Sequence, residues 1–134
     1  MSKPIVLDAN AWLAVLLNEE NSDGVRERIE KRPLFAPELV RYEAANGLLY
    51  AYRKRRLTMP KSALEDLLEV VGGFPIQIIP VNVWWKESIR LVREYSLTFY
   101  DASYVAVAVA LEVPLLSLDE QILDVMKREK VLHD

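Results

Sequence analysis

The sequence predicts an α/β fold layered around a parallel sheet, and three observations carry the prediction. Short apolar or β-branched runs at Ile5-Val6-Leu7, Leu34-Phe35-Ala36, Ile76 to Val81 and Pro114 to Leu118 alternate with longer stretches of helical character. The first run leaves little room for polar alternation, as in a strand covered on both faces. The 134 residues, 51% hydrophobic and 28% charged, contain no internal repeat and no Gly/Ser linker, so residues 1–134 are expected to form a single domain.

Ile5-Val6-Leu7 ends at Asp8 and reads as the first strand. Asn10 to Asn18, apolar on most sides, reads as a helix packed against it. Ser22 to Lys31 is a far more polar helix with Ser22 as its N-cap. After the short strand Leu34-Phe35-Ala36, Pro37 suits the first position of a helix that continues from Glu38 to Arg53. Pro60 opens another helix to about Val71, closed by Gly72-Gly73. Ile76 to Val81 is strongly β-prone. Trp84 to Tyr95 is helical, with Trp85, Ile89 and Val92 along one apolar stripe. Adjacent Trp84 and Trp85 cannot both face one core from a helix; core packing at both edges of the helix is the expectation, with one of them partly exposed at a protein contact as the alternative. Between Thr98 and Leu111 the Val-Ala alternation imitates a strand, yet both residue types are apolar and define no solvent face. With Thr98 and Asp101 forming a capping-box-like start, the segment reads as a buried helix. Pro114 to Leu118 is then a strand, Glu120 to Lys130 a helix, and Val131-Leu132 a candidate last strand.

Composition narrows the chemistry. Cysteine is absent, which removes disulfides, thiolate catalysis, iron–sulfur clusters and cysteine-based zinc sites. The single histidine, His133, lies one residue from the C-terminus, so histidine triads and histidine metal cages are not expected. With 17 basic against 20 acidic residues the net charge is −3, and whole-protein basicity cannot be the basis of nucleic-acid binding. No signal peptide and no membrane span is readable, so a cytoplasmic protein is expected. What remains is carboxylates, hydroxyls and a hard cation.

Most acids sit among other charges, but four do not. Asp8 follows Ile-Val-Leu. Glu43 shares a helical face with Leu39, Asn46, Gly47 and Tyr50. Asp101 opens the most apolar helix, and Asp119 follows Leu115-Leu116-Ser117-Leu118. Each also has a plainer use: Asp8 and Asp119 as helix caps, Asp101 as the acid of a capping box, Glu43 as an edge residue meeting water. In a parallel sheet, however, the C-terminal strand ends and the following helix N-termini share one edge, where ligands bind. Carboxylates gathered there raise one another's pKa unless a cation sits between them. A magnesium-like ion, satisfied by one or two carboxylates and water, is the natural partner, and phosphodiester hydrolysis is the reaction class that follows. Asn10 and Ser117, each two residues from an acid, are candidates to orient ligands or substrate, or are simply turn and cap residues.

The pattern Val6-Leu7-Asp8-Ala9-Asn10, then Glu43, then Tyr100-Asp101-Ala102, then Leu116-Ser117-Leu118-Asp119 resembles a PIN domain, and within that family the small VapC-type toxins of prokaryotic toxin–antitoxin pairs. The resemblance spans essentially the whole chain. It implies a three-layer α/β/α sandwich and an acidic quartet, Asp8, Glu43, Asp101 and Asp119, holding Mg2+ or Mn2+. It further implies an endoribonuclease that usually forms a homodimer and is silenced by a VapB-like antitoxin protein whose C-terminal segment fills the groove. Asn10 matches a position where the family often has a small polar residue, and Ser117 one where it commonly has Ser or Thr.

Arg53-Lys54-Arg55-Arg56 is the strongest basic run. It reads as a phosphate-contacting rim for RNA, or as cations favoured by a helix C-terminus. Two other functions compete with the ribonuclease: a catalytically silent PIN-like RNA-binding or scaffold module, and a haloacid-dehalogenase-like phosphatase. The phosphatase needs a second acid two residues after Asp8, where Asn10 stands. Setting the four acids aside leaves 16 acids against 17 bases, so the acid excess is no larger than the candidate metal site itself.

Overall fold

The computed structural model describes residues 3–134, and in it four parallel strands form one sheet in the order β3-β2-β1-β4. These are β1 (Ile5–Leu7), β2 (Leu34–Ala36), β3 (Gln77–Ile78) and β4 (Leu115–Leu116). Helices α1 (Ala9–Leu16) and α2 (Ser22–Ile29) link β1 to β2, and α3 (Leu39–Arg53) and α4 (Lys61–Gly73) link β2 to β3. Helices α5 (Val81–Tyr95) and α6 (Phe99–Leu111) return the chain to β4, and α7 (Glu120–Arg128) follows it. Val6 lies between Phe35 and Leu115 in the register, and all three residues of β1 are fully buried.

Connections between parallel strands are right-handed, so direction of travel decides the face each helix covers. From β1 through β2 to β3 the chain moves one way, putting α1 to α4 on one face. It then moves back across the sheet to β4, putting α5 to α7 on the other. The packing agrees: α1 contacts α2 and α3, α3 contacts α4, and α6 contacts α5, α7 and β1. The expected three-layer α/β/α sandwich results.

The ambiguous Val-Ala run is helix α6, and Ala102 through Ala108 are all buried. Alanine on alternate positions keeps the helix thin enough to press against α5, α7 and the sheet at once. Elsewhere several expected details change. Pro80 is the N-cap of α5, so Val81 is helical and β3 stops at Ile78. Pro37 lies outside α3, whose N-cap is Glu38, and Ser22 lies inside α2, whose N-cap is Asn21. Gly72 and Gly73 do not close α4; they are its last helical residues, and no glycine in the described residues has positive φ. The left-handed positions after helices fall instead on Asn18, Lys31, Arg55, Ser96, Glu112 and Lys130. The end of α4 is held by Arg41, which donates to the carbonyls of Val71 (2.8 Å) and Ile76 (3.4 Å). In α5 the buried row is Trp84, Ser88 and Leu91, whereas Trp85 and Ile89 of the expected apolar stripe are 46% and 47% exposed. Trp84 takes the core because its indole N–H reaches the Ile79 carbonyl at 3.0 Å. The C-terminal segment contributes one parallel bridge, Leu115 to His133, rather than a strand at Val131-Leu132. No helix of the described residues is long and apolar enough to cross a membrane.

Candidate active site

The strand order determines where a ligand crevice opens. The connection leaving β1 passes over one face and that leaving β4 over the other, so their C-terminal ends flank a topological switch point. Asp8 stands immediately after β1; Ser117 and Asp119 stand just after β4.

Asp8 is the N-cap of α1, and the Ala11 N–H donates to its Oδ1 at 2.8 Å. Its other oxygen, Oδ2, is buried and meets no protein partner, in a residue only 1% exposed. Asp119 caps α7 by accepting from the Ile122 N–H at 3.0 Å, while the buried Ser117 hydroxyl accepts the Asp119 N–H at 3.1 Å. Asp101 lies in the first turn of α6, where its N–H donates to the Thr98 hydroxyl at 3.1 Å. Glu43 projects from α3 and accepts a 2.5 Å hydrogen bond at Oε1 from the Tyr104 hydroxyl of α6. Asp101 and Tyr104 are three residues apart and thus on one face of α6, which brings the α3 acid to the same edge as the α6 acid.

Electrostatics ties the four acids together. Burial pushes the Asp8 carboxyl from 3.8 up to about 6; the Ser117 hydroxyl and the Ala11 amide oppose the rise, and the charges of Asp119 and Asp101 add to it. Asp101 is raised by burial and then by Asp119, with the Thr98 hydroxyl opposing. Glu43 is raised by burial, held back by the Tyr104 hydroxyl, and raised again by Asp101. Tyr104 is itself pushed far up by burial and by its bond to Glu43, so it stays a neutral donor.

An all-oxygen donor set, mutual repulsion without a countercharge, and one orphaned buried carboxylate oxygen fit a hard divalent cation. Among the described residues no three acids converge on a single ion position as they stand. The fit is therefore to an ion that takes one or two carboxylates and keeps its own waters.

Two clefts adjoin the acids along α3. One is lined by Asn10, Gly47, Tyr50, Arg56 and Asp119 among others, the second by Leu39, Tyr42, Glu43, Asn46 and Tyr100. The basic run divides between them and a third groove: Arg56 reaches the Asp119 cleft, Lys54 and Arg56 both lie over the Tyr50 ring, and Arg53 and Arg55 line a groove with Met59. Two contributors escaped sequence reasoning. Tyr104 stands just before the Val-Ala run, and its three-residue spacing from Asp101 was the available signal. A Cβ on Gly47 would lie 2.3 Å from Leu13 Cδ1, so the glycine lets α3 pack closely on the Leu13 side chain of α1.

Comparison with known proteins points the same way. Residues 5–128 match the PIN domain. Ribonuclease VapC3 of Pyrobaculum aerophilum is 30% identical over 121 residues, 88% of this chain and 91% of that protein. Ribonuclease VapC9 of Mycobacterium tuberculosis is 35% identical over 123 residues, 90% of this chain and 89% of its own. Among solved structures, PAE2754 from Pyrobaculum aerophilum superposes with a TM-score of 0.62 at 28% identity, covering 92% of this chain and 86% of that one. A toxin–antitoxin complex from Klebsiella pneumoniae shares the fold with a TM-score of 0.57 at 19% identity, covering 86% of each chain. Matched over nearly its whole length and related at this level to VapC ribonucleases, the chain belongs to the PIN domain family.

Proposed function

We propose that the protein is a VapC-like endoribonuclease toxin that hydrolyses RNA phosphodiester bonds with the help of Mg2+ or Mn2+. The observation that carries this reading is the buried Asp8 carboxylate, one oxygen capping α1 and the other unpartnered, facing the charges of Asp101 and Asp119 at the switch point of the sheet. Asp8, Asp101, Asp119 and Glu43 hold the cation in this reading. When bound, the cation supplies Lewis acidity, lowering the pKa of water and offsetting charge on the phosphate. Tyr104 keeps Glu43 aimed and favours its charged form against the rise that burial causes, and the Ser117 hydroxyl supports Asp119 through its backbone N–H. Asn10 and Arg56, in the same cleft as Asp119, suit contacts to the substrate phosphate and sugar.

The relation to VapC ribonucleases, with a toxin–antitoxin complex among the fold neighbours, supports an antitoxin protein as the partner in this reading. A homodimer has a candidate face in the exposed α5 row Val81, Trp85 and Ile89. A silent RNA-binding module is the competing reading, and one experiment separates the two. Purified protein is expected to cut RNA with Mg2+ or Mn2+, to stop on chelation, and to lose at least 100-fold in rate on Asp101→Asn. Cleavage that survives chelation, or is indifferent to Asp101→Asn, refutes the metal-dependent nuclease.

A further inference from the structure

Three large aromatic rings stand exposed along the acidic edge: Tyr42 at 64%, Tyr50 at 53% and Tyr100 at 63%. Two of them directly precede acids of the site, Tyr42 before Glu43 and Tyr100 before Asp101. Both line one open cleft of ≈ 520 Å³ with Leu39, Glu43 and Asn46. The aromatic pairs of the described residues are Trp12–Phe74, Trp84–Trp85 and Trp85–Phe99, so the faces of Tyr42 and Tyr100 are not used in packing against other rings. Tyr42 is tethered only at its tip, donating to Glu38 Oε1 at 3.4 Å, which leaves the ring face open. Asn46 lies four residues after Tyr42 and three after Glu43, on the same helical face, and brings one amide donor and one acceptor to the cleft.

The cations are elsewhere. Tyr50 carries Lys54 and Arg56 over its ring at 5.8 and 5.6 Å, and Arg56 belongs to the cleft that holds Asp119. The edge is thus divided: flat rings and an amide without a cation line the Glu43 cleft, whereas the cleft that holds Asp119 is also lined by the Arg56 guanidinium. A phosphate selects the second environment and an unstacked base the first. We propose that the Tyr42–Asn46–Tyr100 cleft is a nucleobase subsite, which takes the unstacked base next to the phosphate being cut. This rests on the nuclease reading above. Tyr42 and Tyr100 supply stacking faces, and Asn46 meets the base edge. A base locked in a duplex cannot reach the cleft.

Binding is measured by fluorescence anisotropy on the full-length protein in EDTA, so that nothing is cut. The probes are a labelled 12-nucleotide unstructured RNA, its blunt duplex, and the same strand with abasic sites. The single strand is expected to bind at least tenfold tighter than duplex or abasic RNA. Tyr42→Leu and Tyr100→Leu each weaken single-strand binding about tenfold and leave duplex binding unchanged, as loss of one stacking face predicts. Tyr42→Phe and Tyr100→Phe stay within twofold of wild type, and with Mg2+ the leucine variants raise KM and keep kcat. If wild type binds and cuts RNA while the leucine variants bind as wild type does, the subsite is wrong and the nuclease stands. Leucine variants that weaken duplex and single strand alike, or that change elution volume, assign the rings to a protein contact and overturn the subsite. A wild type that neither binds nor cuts RNA overturns both readings.

Discussion

Replacing Asp8 by Asn should make the metal-free protein more stable while abolishing its activity. The carboxyl is 1% exposed, and burial together with Asp119 and Asp101 raises it from 3.8 to about 6. Between those two values the folded chain holds a proton that the unfolded chain has released. Wild-type stability therefore falls as pH rises from about 4 to about 6 and is flat above. A rise of roughly 2 pH units corresponds to about 3 kcal/mol at neutral pH. Asn keeps an oxygen for the Ala11 N–H, so the cap survives, and it removes the buried charge. With about 3 °C per kcal/mol for a chain of this size, Asp8→Asn should melt up to about 9 °C above wild type in EDTA at pH 7.5. At pH 4.5, where wild-type Asp8 is already mostly protonated in the fold, the advantage should shrink to about one third. Added Mg2+ should raise the melting temperature of the wild type and not of the variant. The assay is thermal melting followed by circular dichroism across this pH range. An Asn variant no more stable than wild type at pH 7.5, or an advantage that does not depend on pH, would refute the claim that Asp8 is held as an uncompensated buried charge.

Three further outcomes follow from contacts on either side of the sheet. Tyr104→Phe removes the 2.5 Å donor to Glu43, so the Glu43 carboxyl should rise further and the acid limb of the pH–rate profile should move to higher pH. Cleavage should drop by about tenfold for a stability change of only about 1 kcal/mol, read from rates and melts together. Glu112→Gly should raise the melting temperature by a few degrees, because Glu112 ends α6 at φ 55° and ψ 49°, where a side chain costs about 1–2 kcal/mol relative to glycine. Arg90 pairs with Glu87, Glu94 and Glu129 at 2.8, 3.1 and 2.6 Å, and together with Tyr95 it holds Glu129 below its ordinary pKa. Arg90→Gln should lower the melting temperature by a few degrees, less so in high salt, and leave cleavage unchanged. In wild type the Glu129 contribution is present above pH 4.5 and lost as pH falls through its lowered pKa.

The sequence revealed the acids more sharply than the helix ends, for a physical reason. A carboxylate directly after Ile-Val-Leu or Leu-Leu-Ser-Leu is conspicuous because strands buried on both faces carry no charge within them. Helix ends are normally announced by glycine, and here the left-handed residues are Asn, Lys, Arg, Ser and Glu, while Gly72-Gly73 stay helical. The boundary of β3 was hidden in the same way, since the β-prone run through Val81 is cut by a capping proline. Trp85 and Ile89 misled because an apolar stripe on α5 need not face the core when a neighbouring row of Trp84, Ser88 and Leu91 does. Tyr104 could not be chosen from its neighbours, since its role depends on Glu43, 61 residues away.

Capping and metal binding looked like competing uses for these acids, but the geometry lets one carboxylate do both. Asp8 gives Oδ1 to the first turn of α1 and leaves Oδ2 bare, and Asp119 gives Oδ1 to the first turn of α7. A capping oxygen fixes the carboxylate's orientation, and the partial positive charge of a helix N-terminus favours the ionised form. Three of the four acids lie at or within the first turn of a helix: Asp8, Asp101 and Asp119. Helix N-termini therefore offset part of the repulsion among them before any cation binds. Glu43, beyond the first turn of α3, lacks that support and has a tyrosine hydroxyl instead. The dipoles are too weak to restore ordinary ionisation at Asp8, whose carboxyl remains raised to about 6. That residual strain is the part left for a divalent cation to relieve, which makes affinity for the ion a consequence of how the fold buries Asp8 rather than of a closed cage of ligands.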